Sequence, residues 1–165
     1  MSEDAVLIYL DTNAYARPFD DQTQSRIQEE TDALLTIIEA IKTGTALLLS
    51  SDILQFEVQN ILDEEKRTKV SQYLTLSTCH IEQTDEVLQL GKQIQQQCHT
   101  RARDALHVAS AILGEARYCI SCDNTVTAMK HARCYRRLGK AVRHTYFSVM
   151  NPRRFVEHLQ QGDII

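Results

Sequence analysis

Residues 6–13 read Val-Leu-Ile-Tyr-Leu-Asp-Thr-Asn. The apolar run over residues 6–10 has the length of a strand and no alternating polar residue, a pattern typical of a strand covered on both faces. The run ends abruptly at Asp11. Similar short apolar runs occur over residues 45–50 and 118–121, so the chain is expected to contain several buried strands.

Helical patterns separate the predicted strands. After a polar loop, apolar residues recur at spacings of three, four and seven, which predicts a helix over residues 22–43 that ends at Gly44. Further helices are predicted over residues 52–66, 68–76, 84–98, 103–116, 124–131 and 152–160, and further strands over residues 79–82 and 143–149. Strands that alternate with helices predict an α/β sandwich with a mainly parallel central sheet.

The composition predicts one globular domain over residues 1–165. Hydrophobic residues make up 43% of the chain and charged residues 24%, which excludes collagen-like and disordered classes. With only 5 Gly and 2 Pro, and no visible repeat, the chain shows no domain boundary. Ser/His/Asp, P-loop and dinucleotide-binding signatures are also missing from the sequence.

Cysteine usage and hydropathy bear on the compartment. The 5 cysteines, an odd number, and a start without the positive flank of an export signal argue against a disulfide framework. They favour a reducing, cytoplasmic location. No apolar run approaches the roughly 18 residues that a bilayer requires, so no membrane is expected among the partners.

The formal net charge of -4 hides an asymmetry along the chain. Residues 1–100 carry 7 Lys and Arg against 17 Asp and Glu, whereas residues 101–165 carry 11 against 5. Such a division fits a basic strip that meets phosphate beside an acidic pocket that holds cations. Solvated helix faces explain it equally well.

Three of five notable carboxylates stand where a parallel sheet would place a functional crevice, just beyond the carboxyl ends of its strands. Asp11 and Asp123 each follow a predicted strand, and Asp52 opens the helix after another. Glu57 lies within the apolar stripe of that helix, and Asp104 near the start of the most apolar helix. A divalent cation would relieve the repulsion between buried carboxylates, and ligands made only of oxygen favour Mg²⁺ or Mn²⁺. Taken singly, Asp11 and Asp123 could instead be helix caps or turn residues, and Asp104 could simply favour a helix N-terminus through the helix dipole.

Several segments resemble the PIN-domain nucleases, and within them the VapC-like toxins of toxin–antitoxin pairs. The most specific match is Asp-Ala-Leu-His-Val-Ala-Ser-Ala over residues 104–111. The other matching segments are residues 8–13, Ser50-Ser51 with Glu57, 102–103, 120–124, 17–22 and 151–155. The resemblance covers nearly the whole chain and implies a PIN-like three-layer α/β/α sandwich.

The resemblance also implies roles for six of these residues. Asp11, Glu57, Asp104 and Asp123 match the four acidic positions that bind Mg²⁺ or Mn²⁺ and catalyse hydrolysis in PIN nucleases. Asn13 and Ser121 match positions that hydrogen-bond around the metal site. The chain departs from the family pattern after Asp123, where many members continue with a basic and an aromatic residue and this chain has Asn-Thr-Val at 124–126.

By the same resemblance, the protein is expected to be a metal-dependent endoribonuclease. Its partners are expected to be an RNA substrate, a small antitoxin protein and a second copy of the chain in a homodimer. Arg17, Arg101, Arg103 and Lys130, with the basic group over residues 133–143, would offset the charge of the phosphates. Each of these cations has an alternative interpretation as solubilising surface charge.

Other interpretations of the sequence stay open at this point. Cys119, Cys122, His131 and Cys134 have a superficial zinc-site spacing, although small core cysteines explain them more simply. His107 is interpreted as a core histidine and not as a base or ligand. Two rival functions are a non-catalytic PIN-like module that binds RNA or acts as a scaffold, and a DNA-directed PIN nuclease.

Overall fold

The computed structural model describes residues 5–143 and 146–162. Within them, five parallel strands form one sheet in the order β3-β2-β1-β4-β5. The strands are β1 (Val6–Leu10), β2 (Ala46–Ser51), β3 (Cys79–Ile81), β4 (Tyr118–Ile120) and β5 (Ser148–Met150).

Nine helices within the described residues connect and cover the strands. They are α1 (Thr12–Ala16), α2 (Ser25–Lys42), α3 (Asp52–Gln59), α4 (Glu64–Leu74), α5 (Asp85–Cys98), α6 (Ala102–Leu113), α7 (Asn124–Thr127), α8 (Met129–Arg143) and α9 (Pro152–Gln161), with a 3-10 turn at Arg17–Phe19. No helix of this part of the chain is long and apolar enough to cross a bilayer.

The strand order places β1 at the centre of the sheet, paired with β2 on one side and β4 on the other. The chain moves away from β1 in opposite directions through α2 and α8, so right-handed crossovers put these helices on opposite faces. α2 packs against α9, while α5, α6 and α8 pack together. The three-layer α/β/α sandwich with a parallel sheet is therefore confirmed. Because the connections on the two sides of β1 and β4 run in opposite directions, a crevice opens beyond the carboxyl ends of these two strands.

The most apolar segments of the sequence form the core. Ile8, Tyr9 and Leu10 of β1 are fully buried between the two helical layers. Ala105 and Val108 of α6 are fully buried as well. The small side chains of α6 allow it to lie close to the sheet, which brings the polar residues at its start to the crevice.

The structure differs from the predicted elements between residues 52 and 76. One helix was expected over residues 52–66 and another over 68–76, whereas α3 ends at Gln59 and α4 begins at Glu64. Two short polar side chains set this break. Asn60 donates to the carbonyl of Phe56 at 2.7 Å, and Asp63 accepts from the backbone N–H of Lys66 at 2.9 Å as the cap of α4.

The largest difference is α8. A helix was expected over residues 124–131 and a strand from residue 143, but extended backbone at Ala128 separates the short α7 from a 15-residue helix. Few apolar residues mark α8, which buries Tyr135, Leu138 and Gly139 under a highly charged surface. The predicted strand shrinks to β5, and residues 144–145 of that prediction lie outside the described residues.

Cys98 at the end of α5 and Cys134 in α8 form a disulfide bond across 36 residues of sequence. Cysteine count had argued against disulfides, and for this pair that expectation is wrong. The pairing depends on α8, which the sequence did not predict and which packs against α5. Cys79, Cys119 and Cys122 are free.

We predict that Cys134→Ser lowers the free energy of unfolding by about 4 kcal/mol, because the unfolded chain is no longer closed into a loop of this length. Urea denaturation followed by circular dichroism, with and without dithiothreitol, measures the effect. Dithiothreitol should lower the stability of the wild type to that of the variant. Cys79→Ser removes an exposed free thiol and is the matched control. Equal stability of wild type and Cys134→Ser without reductant would contradict the disulfide.

Candidate metal centre

Asp11 directly follows β1 and lies at the floor of the crevice, almost fully buried. Its backbone N–H donates to the carbonyl of Ile120 at 2.9 Å, which extends the β1–β4 pairing to the site. Its Oδ2 accepts from Asn13 Nδ2 at 3.2 Å and from Ser121 Oγ at 3.1 Å. Asn13 and Ser121 therefore fix the orientation of this carboxylate.

Glu57 reaches the same crevice from α3. Its Oε1 accepts from Thr12 Oγ1 at 3.0 Å and contacts Nε2 of His107, and Arg103 Nη1 lies 3.8 Å from Oε2. Burial acts to raise the pKa of Glu57, but the hydrogen bond and charge of His107, with Thr12 and Arg103, outweigh it and hold the pKa below its usual value. Glu57 is therefore ionised at neutral pH.

His107 is buried, as expected, yet its Nε2 faces the acidic crevice. Nε2 contacts Glu57 and lies 3.6 Å from Asp11 Oδ1, while Nδ1 is 2.6 Å from the hydroxyl of Tyr9. The Tyr9 hydroxyl is in turn 2.8 Å from Ser51 Oγ. Burial acts to lower the pKa of His107, but Asp11 and Glu57 outweigh it and raise the pKa. The interpretation as a plain core histidine missed this role beside the carboxylates.

Asp104 lies on the first turn of α6, beside the same crevice. Arg101 joins it to Asp123, with Nε 3.2 Å from Asp104 Oδ2 and Nη2 2.7 Å from Asp123 Oδ2. Burial and the neighbouring charge of Asp11 raise the pKa of Asp104, which Arg101 offsets only in part. Negative charge is thus in excess at this point.

Asp123 follows β4 and caps α7, where it accepts from the backbone N–H of Thr125 at 2.8 Å. Burial acts to raise the pKa of Asp123, but the bonds from Thr125 and the charge of Arg101 lower it overall. Two residues connect Asp123 to the other acids. One is Arg101, and the other is Ser121, whose Oγ accepts from the backbone N–H of Asp123 at 3.2 Å.

The crevice forms a cavity of about 610 Å³. Its lining comprises Asp11, Thr12, Asn13, Ala16, Glu57, Ile61, Lys66, Arg101, Ala102, Arg103, Asp104 and His107. Three of the four predicted acids line this cavity, and Asp123 adjoins it through Arg101. Lys66, Arg101 and Arg103 add positive charge around the acidic floor.

The donor atoms fit a divalent cation. One oxygen each of Asp11 and Glu57 and a ring nitrogen of His107 lie within 4.8 Å of one another. Carboxylate oxygens that converge from separate elements are the ligands that Mg²⁺ and Mn²⁺ prefer, and the raised pKa of Asp104 indicates charge that a cation would stabilise.

The remaining candidate residues occupy other surroundings. Arg17 contacts the fully buried Glu30 at 3.0 Å and Asp20 at 3.1 Å, so its guanidinium joins the 3-10 turn to α2. Arg103 and Lys130 are exposed. Asp52 pairs with His80 at 2.8 Å, away from the cavity lining.

The zinc interpretation is wrong. Cys134 is consumed by the disulfide with Cys98, and Cys119 is buried within β4. His131 points elsewhere, with Nδ1 2.7 Å from the carbonyl oxygen of Cys98. Without the Cys134 thiolate, these residues do not provide the four ligands of a structural zinc site.

We predict a pH-dependent contribution of His107 to the stability of the metal-free protein. The pKa of His107 is higher in the folded protein than in the unfolded chain, where it is about 6.5. Protonated His107 therefore contributes its full stabilisation below pH 6.5, and this contribution is lost as the pH rises through the pKa of the folded state. In EDTA, the stability difference between wild type and His107→Gln should therefore be larger at pH 5.5 than at pH 8.5 in urea denaturation. A difference that grows with pH would contradict the charged pairing with Glu57.

Comparisons with known proteins show the fold. No model of a protein family matches the chain, and neither does any curated protein. A chain in the crystal structure of VapBC2 from Rickettsia felis, bound to a DNA fragment from their promoter, is similar with a TM-score of 0.56 and 13% identity. The match covers 88% of this chain and 98% of that chain. The expected PIN-like α/β/α sandwich is therefore confirmed, as a likeness of fold to a protein of a VapBC complex.

Proposed function

We propose that this protein is a Mg²⁺- or Mn²⁺-dependent endoribonuclease and the toxin of a toxin–antitoxin pair. The observation that carries the proposal is the convergence of Asp11 and Glu57 with His107 within 4.8 Å, at the carboxyl ends of parallel strands. Asp104 lines the same cavity, and Arg101 ties Asp123 to it. Acidic clefts of this kind support hydrolysis of phosphodiester bonds.

In this proposal Asp11, Glu57, Asp104 and Asp123 would hold the cation. The bound cation would neutralise phosphate charge and lower the pKa of a water molecule. Asn13 and Ser121 keep Asp11 oriented through the bonds described above. Glu57 is ionised at neutral pH, so its carboxylate can orient the attacking water and accept its proton.

Basic residues at the cavity mouth would bind the substrate. Arg103 is exposed and lies 3.8 Å from Glu57, and Lys66 lines the cavity from α4. Both can approach a phosphate that enters above the carboxylates, which would otherwise repel it. The proposed substrate is single-stranded, because an unpaired strand exposes both its backbone and its base edges.

A toxin role is supported by the likeness of fold to a chain of a VapBC complex. A small antitoxin that covers the acidic cleft is the partner this role requires. The homodimer implied by the sequence resemblance stays a prediction, which light scattering during size-exclusion chromatography checks. A cytoplasmic location also stays a prediction.

We predict that the purified protein cleaves single-stranded RNA with Mn²⁺ and that EDTA abolishes the cleavage. Asp11→Asn should lower the rate at least 100-fold, because it removes charge from the floor of the site without changing its shape. Gel analysis of end-labelled RNA measures the rate. Asp52→Asn removes an acid that also follows a strand but pairs with His80, and it should keep near wild-type activity.

The same assay separates the rival functions. Binding of RNA without cleavage at any metal concentration would contradict the enzyme and favour a non-catalytic module. Cleavage of a DNA strand of identical sequence at the same or a higher rate would contradict the RNA assignment and favour a DNA nuclease.

We predict for the toxin role that induced expression of the wild type arrests bacterial growth, whereas Asp11→Asn does not. Co-expression of the product of the neighbouring gene should restore growth. Colony counts after induction measure both effects. Unaffected growth on expression of active wild-type enzyme would contradict the toxin role while leaving the nuclease intact.

A further inference from the structure

We propose that the exposed face of α8 is a track for the phosphate backbone of single-stranded RNA that leads into the acidic cavity. The inference rests on the proposed function, because it names how the substrate of that site is held. It concerns a helix that the sequence did not predict and that contributes no residue to the lining of the acidic cavity.

The charge of α8 is unusually one-sided. Its 15 residues contain six Lys and Arg and no acid, in a chain whose formal net charge is -4. The six cations are Lys130, Arg133, Arg136, Arg137, Lys140 and Arg143. At 100° per residue they occupy an arc of about 140°, opposite the buried Tyr135 and Leu138.

These cations are available to an external anion. All but Arg143 are exposed, and none forms an ion pair with an acid anywhere in residues 5–143 and 146–162. Their recorded contacts are with sulfur atoms, a ring and a carbonyl, for example Arg133 with Met129 Sδ at 3.5 Å and Arg137 with Cys134 Sγ at 3.7 Å. Uncompensated charge of one sign along a helix attracts a polyanion.

The face has the length and the aromatic group that a nucleic acid strand requires. From Lys130 to Arg143 it extends about 20 Å, enough for several phosphates. Near the middle of the face, beside Arg136, Tyr146 is half exposed, with the guanidinium carbons of Arg117 and Arg136 at 5.6 and 5.2 Å from its ring centroid. Aromatic and guanidinium planes together form a platform on which a base can stack.

A second groove lies between the acidic cavity and the start of α8. Its lining comprises His99, Thr100, Arg101, Asp104, Thr125, Val126 and His131, the residue that follows the exposed Lys130. In this proposal the strand leaves the cationic face at Lys130, passes the start of α8 and enters this groove, which brings it past Arg101 to Asp104.

The start of α8 is fixed rigidly to the segment that carries Arg101 and Asp104. The Cys98–Cys134 disulfide links α8 to the residue three before Arg101. The hydroxyl groups of Thr100 and Tyr135 lie 2.7 Å apart, which adds a buried hydrogen bond to the same junction. These two links hold the first half of α8 next to residues 98–101, so a bound strand would present a defined bond for cleavage.

Fluorescence anisotropy of a labelled single-stranded RNA tests this proposal, with Asp11→Asn as the background so that the RNA stays intact. The test variant combines Arg133→Gln, Arg137→Gln and Lys140→Gln. The control combines Lys42→Gln, Lys92→Gln and Arg154→Gln, which removes the same charge from exposed positions on α2, α5 and α9. The conservative variant Arg133→Lys with Arg137→Lys keeps the charge.

We predict that the test variant binds RNA at least 10-fold more weakly at low salt. Its plot of log K against log salt concentration should be shallower by about 2, since each phosphate contact of a single strand contributes about 0.7 to the slope. The control and the conservative variant should bind within threefold of the background protein. Unchanged melting temperatures in circular dichroism verify that all variants fold.

Three outcomes would overturn the track. They are unchanged binding by the test variant, an equal loss in the control variant, and equally tight binding of the background protein to duplex DNA or to phosphatidylserine vesicles. The readout is independent of the proposed function, because binding is measured without cleavage. If wild-type protein cuts no RNA but the α8 variant loses binding, the nuclease fails and the track stands. Where cleavage occurs, the α8 substitutions should raise KM and leave kcat within threefold.

Discussion

Mutual repulsion between carboxylates in one half-buried crevice is the constraint on which the site depends. Asp11, Glu57 and Asp104 approach from β1, α3 and α6, and each would be costly to bury ionised and alone. Without a cation the protein balances this charge with His107 against Glu57 and with Arg101 between Asp104 and Asp123. Such a balance is a poor way to gain stability, since buried ion pairs recover little more than their own desolvation. It is a suitable way to keep oxygens poised for an ion of higher charge.

The parallel sheet makes that convergence possible. Because β1 lies between β2 and β4, the residues that follow all three strands lie at one edge of the sheet, although Asp11 after β1 and Ser121 after β4 are 110 positions apart in sequence. Direct hydrogen bonds then set the local geometry, as where Ser121 after β4 donates to Asp11 after β1. Helix α6 supplies two further side chains, Asp104 and His107, to the same edge. Its small buried residues let the helix lie close to the sheet, so both side chains reach the crevice.

The strand-end rule located Asp11 and Asp123 from sequence, and the apolar stripe of α3 located Glu57, because both signals are local. His107 was placed in the core correctly, but its alignment with Glu57 depends on how α3 and α6 meet, which no local pattern encodes. Asp52 shows the converse, since it also follows a strand yet pairs with His80.

Helix α8 was missed because its buried residues are few, and the disulfide was missed with it. Asp63, an N-cap residue followed by Glu64 and Glu65 in the first turn, was a readable signal for the break between α3 and α4.

The disulfide also alters the connectivity of the molecule. The covalent ring that it closes, from residue 98 to residue 134, contains Arg101, Asp104, His107, Ser121 and Asp123. The oxidised, unfolded chain therefore retains these five residues within one small circle, and the search that brings them together covers a shorter span than the linear sequence suggests. A protease that cuts once inside the ring leaves both halves tethered, so these polar groups stay on one molecule after backbone scission.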